Sequence, residues 1–149
     1  MNYPPKDLQL YLDASYSVAA VADWLTAEGQ VLVAEGLAGE LLGFAQSGLN
    51  ALPFPAAEAG DRELKRLYVA RRAQGLGLGR RLTDLILEPL CDRHVLLSVW
   101  SGNHRARRFY ELYGFKEAGR NPFQVGDHVD DDLIYLREPL PPGGPAPDC

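Results

Sequence analysis

The stretch that most constrains this chain is Leu67-Tyr68-Val69-Ala70-Arg71-Arg72-Ala73-Gln74-Gly75-Leu76-Gly77-Leu78-Gly79-Arg80-Arg81-Leu82. It reads as the end of a strand, then three glycines at alternate positions, then the start of a helix. Glycines let the backbone turn tightly and come close to a ligand. The first amides of a helix have no internal acceptor and stand at the positive end of its dipole. Such a turn suits phosphate. Two familiar phosphate loops fail on spacing. A Walker A loop needs Gly-Lys-Ser/Thr where Gly79-Arg80-Arg81 stands, and a dinucleotide fingerprint needs glycine where Arg80 stands. A tight strand-to-helix turn with no ligand is the plain alternative, and the flanking arginines weigh against it.

The total charge points the other way. Fifteen basic and twenty acidic residues give −5, which taken alone argues against a polyanionic ligand. Its distribution reverses that reading. Arg62, Lys65, Arg66, Arg71, Arg72, Arg80 and Arg81 face one acid, Glu63, within the same segment, and Arg105, Arg107 and Arg108 form a second cluster. The acids are spread elsewhere, with Asp130-Asp131-Asp132 as their tight group. Basic runs also invite a nucleic-acid reading, but the aromatics are not interleaved as a stacking platform requires, so no nucleic-acid partner is expected.

At 149 residues, 46% hydrophobic and 23% charged, the chain has the size and balance of one globular domain. Residues 1–137 are expected to form it. Residues 138–149 hold five of the eleven prolines, with Gly143 and Gly144, and read as a flexible tail. The N-terminus lacks the pattern of a secretion signal, and no window approaches a membrane span. Cys91 and Cys149 are too few for a disulfide framework, so a cytoplasmic protein is expected, without membrane association. His94, His104 and His128 show no ligand spacing, and no metal is expected.

Helical spacing occupies Leu8–Tyr16 and Val18–Leu25. Val31–Ala34 and Leu41–Ala45 read as a hairpin, and Leu64–Val69 as a strand after a loop at 50–60. Arg80–Leu87 carries Leu82, Leu85 and Ile86 at helical spacing and stops near Pro89. Val95–Trp100 reads as a buried strand. Asn103–Tyr113 reads as a helix with Asn103 as its cap and Gly114 just past its end. Phe115–Gly119 and Leu133–Leu136 are short strands, joined by turns at Asn121-Pro122 and Gly126-Asp127. This order predicts a mixed α/β sheet with one right-handed parallel crossover.

Gln74-Gly75-Leu76-Gly77-Leu78-Gly79 resembles the Gln/Arg-x-x-Gly-x-Gly/Ala acyl-CoA signature of the GCN5-related N-acetyltransferases (GNAT family). Asn103-His104-Arg105-Ala106-Arg107-Arg108-Phe109-Tyr110-Glu111-Leu112-Tyr113-Gly114-Phe115 matches that family's second signature, Asn-x-x-Ala-x-x-x-Tyr-x-x-x-Gly-Phe. The resemblance implies the GNAT fold, a mostly antiparallel mixed sheet with flanking helices and a splayed central strand pair. It opens between the strand ending at Val69 and the strand ending near Val99. The family's usual strand before the first helix has no counterpart visible in the sequence.

The resemblance further implies acetyl-CoA as acyl donor and an amine as acceptor. Main-chain groups of Leu67, Tyr68 and Val69 would pair with the pantetheine arm, one amide polarising the thioester carbonyl. The backbone from Gln74 and Gly75 through Leu76, Gly77, Leu78, Gly79 and Arg80 would hold pyrophosphate, with Arg71, Arg72 and Arg81 near the nucleotide. Asn103 would bond the pantetheine as well as cap its helix. Tyr110 takes the general-acid position. A thiol titrates near roughly 8.5 and a tyrosine near roughly 10, so a tyrosine can protonate the departing thiolate. Glu63 is the candidate base, alongside the plainer role of neutralising Arg62, Lys65 and Arg66.

The segments 119–127 and 131–134, with Trp100, resemble a bacterial branch of the family that includes polyamine acetyltransferases. An acid of Asp130, Asp131 and Asp132 would then attract a cationic amine, the alternative being a solvated turn. The expected protein is an N-acetyltransferase acting on a small-molecule or peptide amine, as monomer or homodimer. The alternative is a CoA-binding sensor or interaction module without catalysis.

Overall fold

The computed structural model describes residues 29–141. The helices expected at 8–16 and 18–25, and any strand before them, lie outside the described residues. Described elements run β1 (Gly29–Glu35), β2 (Leu41–Leu49), β3 (Arg62–Val69), α1 (Leu78–Leu87), β4 (Val95–Trp100), α2 (His104–Leu112), β5 (Lys116–Val125) and β6 (His128–Arg137). The six strands form one sheet in the order β1-β2-β3-β4-β6-β5. Neighbours are antiparallel except β3 and β4, which α1 joins as the expected parallel crossover. The mixed, mostly antiparallel α/β sheet of the sequence reading is therefore present.

β3 and β4 pair through only Arg62↔Val95 and Glu63↔Leu96. Beyond these residues they part, while β3 stays zipped to β2 as far as Gly43↔Val69 and β4 to β6 as far as Trp100↔Asp132. The sheet thus contains a gap that widens toward the C-terminal ends of its two central strands.

Alternation along the strands decides what each face carries. Val95, Leu97 and Val99 of β4 and Leu133 and Tyr135 of β6 join Leu82, Ile86 and Leu87 of α1 in one core, with Ala106, Tyr110 and Tyr113 of α2 packed against it. Both helices lie on this face. Leu85, counted from its spacing as part of the buried stripe, is instead 40% exposed, because the stripe of α1 runs through Leu82, Thr83, Ile86 and Leu87. The helix ends at Leu87 and passes into a 3-10 turn containing Pro89.

The C-terminal hairpin departs most from expectation. Asn121 and Pro122 are not a turn; they lie within β5, opposite Asp132 and Asp131, and only Gly126-Asp127 turns the chain. Proline removes a ladder donor, but β5 is the outermost strand of the sheet, where a missing donor costs no pairing. β2 also outruns its expected end, because the polar pair Gln46 and Ser47 is buried in the ladder and Gln46 Oε1 accepts from Arg66 at 2.9 Å. Residues 138–140, read as tail, are in contact with the body. Glu138 pairs with His94 Nε2 at 2.8 Å, and the Leu140 amide donates to the Cys91 carbonyl.

α2 is fixed by side chains at both ends. Asn103 Oδ1 accepts from the Ala106 amide at 3.2 Å as its N-cap. Arg107 Nε donates to the buried Tyr135 hydroxyl at 2.9 Å, Arg107 Nη1 donates to Ser101 O, and Tyr135 donates to Glu111 Oε1 at 3.1 Å. The Tyr113 hydroxyl donates to Asp84 Oδ1 at 2.7 Å, tying α2 to α1. Removing the cap should be felt directly: Asn103→Ala is expected to cost about 1 kcal/mol of unfolding free energy in urea titration, with no change in the slope.

Candidate active site

The glycine turn presents unpaired amides. Gly75 and Gly77 hold φ of +81° and +79°, a left-handed conformation that residues with a Cβ resist. Gly77 is the N-cap of α1, with no side-chain cap and no acid in the first turn. Among the described residues, none of the amides from Gly75 to Arg80 makes a well-formed backbone hydrogen bond; the first is Arg81 N to Gly77 O at 3.0 Å. Gly79 differs from the other two. Its φ is ordinary and a Cβ there would stand 3.5 Å from Val69 Cγ2, an ordinary contact, so neither the backbone nor the packing of α1 on β3 requires glycine.

The cations around this cradle divide by task. Arg80 and Arg81 are exposed on the first turn of α1, and Arg71 is exposed before the loop. Arg72 donates to the Leu41 carbonyl at 3.1 Å, bracing the loop on β2, and Gln74 Nε2 donates to Val69 O at 3.3 Å. In the second basic cluster Arg107 is committed to Tyr135, whose hydrogen bond raises its pKa further. Sequence reading could not separate these roles, since all are arginines in charged runs.

Leu67, Tyr68 and Val69 line the gap. They pair with Ala45, Phe44 and Gly43 on β2 and, among the described residues, have no strand partner on their other side. An antiparallel strand alternates its peptide groups between its two edges. Half of the peptide groups here therefore face into the opening.

Tyr110 and Glu63 stand on different elements, α2 and β3. Tyr110, on α2, packs edge-on to Phe115 at 5.9 Å and to Phe109 at 5.3 Å, and burial pushes its phenol up to about 12. Glu63 sits where the gap begins, 12% exposed, and its Oε1 accepts from the Ala51 amide at 2.9 Å and from Lys65 Nζ at 3.2 Å. It thereby pins the 50–61 loop to the root of β3, a contact between distant segments that the sequence does not signal.

The acid triplet is strand, not turn. Asp131 points to the helix side and is paired with Arg120. Asp130 and Asp132 share the opposite face with Ser98 and Trp100 of β4. Ser98 Oγ donates to Asp132 Oδ2 at 3.2 Å. Burial raises the Asp132 pKa, neighbouring Asp130 and Asp131 add to the rise, and the Ser98 bond opposes it. Among the described residues no group of side chains could hold a metal ion, and no helix is long and apolar enough to cross a membrane.

A split parallel pair and an amide cradle at the entrance to the crossover helix, with a half-buried tyrosine on α2, fit the class of an acyl-transferring enzyme that uses a phosphate-bearing thioester. The family model described as Acetyltransferase (GNAT) family matches residues 3–115, and the chain belongs to that family. It is 30% identical over 138 residues to an uncharacterised N-acetyltransferase of Mycobacterium tuberculosis, covering 90% of this chain and 83% of the relative. It is also 30% identical over 93 residues to the spermine/spermidine N(1)-acetyltransferase of Bacillus subtilis, covering 57% of this chain and 59% of that protein. The crystal structure of PaiA N-acetyltransferase from Thermoplasma acidophilum in complex with coenzyme A superposes with a TM-score of 0.67 at 19% identity, covering 91% of this chain and 80% of that one.

The protein is thus an N-acetyltransferase with acetyl-CoA as its donor. Its residues fit that donor: among the described residues the amides from Gly75 to Arg80 have no backbone acceptor, and a Cβ at Gly75 or Gly77 would meet nothing within 4 Å, so the cradle is open to an approaching phosphate.

The two kinds of glycine separate experimentally. Gly77→Ala is expected to destabilise the fold by about 1–2 kcal/mol and to weaken CoA binding in calorimetry. Gly79→Ala should fold as well as the parent or better, because alanine favours a helix by up to about 1 kcal/mol over glycine.

Asp132 has a pH signature. Its folded pKa lies above the unfolded value, so its contribution to stability is fully present below the unfolded pKa and is lost as pH rises through the folded one. Asp132→Asn should therefore melt higher than the parent at pH 7, with the advantage vanishing on acidification below both pKa values, as read by Tm against pH.

Proposed function

We propose that this enzyme acetylates a primary amine of a small, polyamine-like molecule or of a peptide, the amine attacking the thioester directly. The observation that carries the reading is the gap between β3 and β4. The anion-binding cradle and Tyr110 belong to the helix side of the sheet, while Asp130, Asp132 and Ser98 occupy the other. A donor held on one face can meet a cationic acceptor from the opposite face. The relative from Bacillus subtilis, named for spermine and spermidine, supports a cationic acceptor.

Acetyl-CoA supplies the activated acyl group when bound. In this proposal the amides of Gly75 through Arg80, with Arg80 and Arg81, take its pyrophosphate. Free peptide groups of Leu67 to Val69 align the pantetheine as an added strand would and donate to the carbonyl. Asn103, whose Oδ1 caps α2, keeps its side-chain amide for the same arm.

Tyr110 protonates the leaving sulfur. A phenol held near 12 stays protonated throughout the neutral range and outlasts a free thiol near roughly 8.5. That mismatch alone would oppose proton transfer, but a thiolate leaving into the same dry surroundings is made more basic by the same desolvation. The attacking amine, near roughly 10.4 in water, must lose a proton. Glu63 relays it through water from Oε2, since Oε1 is engaged by Ala51 and Lys65. The dependence on acetyl-CoA favours a cytoplasmic location.

Thiol release from acetyl-CoA, measured across polyamines, aminoglycosides, amino acids and peptide N-termini, tests the reading. Turnover with a cationic amine is expected, and silence across the panel would overturn it. With the best acceptor, Tyr110→Phe should lower kcat by about a hundredfold or more while CoA affinity stays within about twofold; undiminished kcat would remove Tyr110 from the mechanism.

A further inference from the structure

Asp130 is a carboxylate that the protein leaves half-finished. Its side chain is 6% exposed, Oδ1 stands 3.0 Å from His128 Nε2, and Oδ2 is buried with no hydrogen-bond partner among the described residues. Two residues on, Asp132 repeats the arrangement. Oδ2 accepts from Ser98, and Oδ1 is buried and unpartnered. Each carboxylate thus has one oxygen satisfied by the chain and one withheld from both protein and water. Residues i and i+2 of a strand project from the same face, with Cα atoms roughly 7 Å apart, a separation at which two carboxylates can reach one cation. Leaving buried anionic oxygens unpaired is costly unless something charged completes them.

Basic side chains of the same hairpin do not complete the pair. Arg120 is committed to Asp131 on the helix side, and His128 already meets Asp130 through the other oxygen. Across the ladder Asp132 is registered with Trp100 on β4 and Asn121 on β5, and Asp130 with Phe123 on β5, none of them cationic. Three or more metal-binding side chains do not gather among the described residues. An ammonium group, with three donors and no demand for a fixed coordination shell, matches what is offered. Asp132 is half-buried, so the pair is reached from its side. That side borders Trp100, the last residue of β4 and the edge of the gap.

We infer that Asp130 and Asp132, with Ser98 holding the second carboxylate in place, form a subsite for a second ammonium group of the acceptor, making the preferred substrate a diamine or polyamine rather than a monoamine. The inference rests on the amine-acceptor reading above and deepens it. One amino group is held by the two aspartates while another reacts at the gap. Charge-assisted bonds to desolvated carboxylates are the strong kind, so the second ammonium contributes selectivity that chain length alone does not.

The test uses the full chain saturated with CoA and two probes of equal carbon count, 1,4-diaminobutane and n-butylamine. Calorimetry should show the diamine binding at least about tenfold tighter. Asp130→Asn, Asp132→Asn and the double variant should each reduce that ratio, the double variant to near unity. The same ratio read as kcat/KM for acetylation should fall in parallel. Equal binding of the two probes by the parent, or a preference that survives in the variants, overturns the inference. If the double variant fails to fold, the single variants carry the comparison, since a purely structural role lowers both affinities and leaves their ratio alone. A parent that prefers the diamine in calorimetry yet releases no thiol defeats the acetylation of amines and leaves the subsite standing. One that acetylates both amines equally does the reverse.

Discussion

Everything in this molecule that bears on its chemistry follows from how soon β3 and β4 stop pairing. Two registered residue pairs hold them at the root, and each is then drawn away by a partner on its other side: β3 by β2, β4 by β6. A gap in a sheet is costly because it leaves peptide groups without ladder partners. Here the two flanking ladders are long enough to support it. The opened edge then offers what another strand would offer, a row of donors and acceptors. The crossover from β3 must start at the wide end of the opening, so the glycine turn and the unpaired amides of α1 are delivered to its entrance. The position of the phosphate cradle is a consequence of the split and of right-handed crossover geometry rather than a separate invention.

Much of this was legible in one dimension. Positive φ at Gly75 and Gly77, a cap at Asn103 and a stop near Pro89 are local events, set by residues within a turn of each other, and local chemistry survives translation into structure. β4 was legible because a fully buried strand is a continuous apolar run. What escaped was set by distant partners. Gln46 and Ser47 do not look like strand until Arg66 and the ladder satisfy them. Asn121-Pro122 has turn composition and is strand because β5 happens to be an edge. Glu63 gains its anchoring bond from Ala51, twelve residues away, and Arg107 is structural only because Tyr135 is buried beneath it.

The charge of −5 conceals a division of labour that the sheet enforces. Exposed arginines gather at the start of α1, on the face proposed for the polyphosphate of the donor. Carboxylates desolvated on the opposite face suit an amine. On the proposed reading, two oppositely charged substrates approaching through one opening would hinder each other if they shared a side; the sheet keeps the basic and acidic faces apart, and screening over roughly 8–10 Å in physiological salt helps to separate their fields.

On the proposed reading, the same separation makes the β5–β6 register a determinant of specificity. Alternation along β6 sends Asp131 to the helix side, where Arg120 neutralises it, and sends Asp130 and Asp132 to the other. A slip by one residue would exchange these sets, placing two half-satisfied carboxylates on the helix side and one on the other. Long strands with a single tight turn at Gly126-Asp127 oppose such a slip, since ten residues on each side would have to re-pair together. Reading the triplet as a solvated turn treated three acids as one feature. In the fold they are two features of opposite purpose: an ion pair that helps to hold the hairpin, and a buried pair whose unmet hydrogen bonds remain available to a cation.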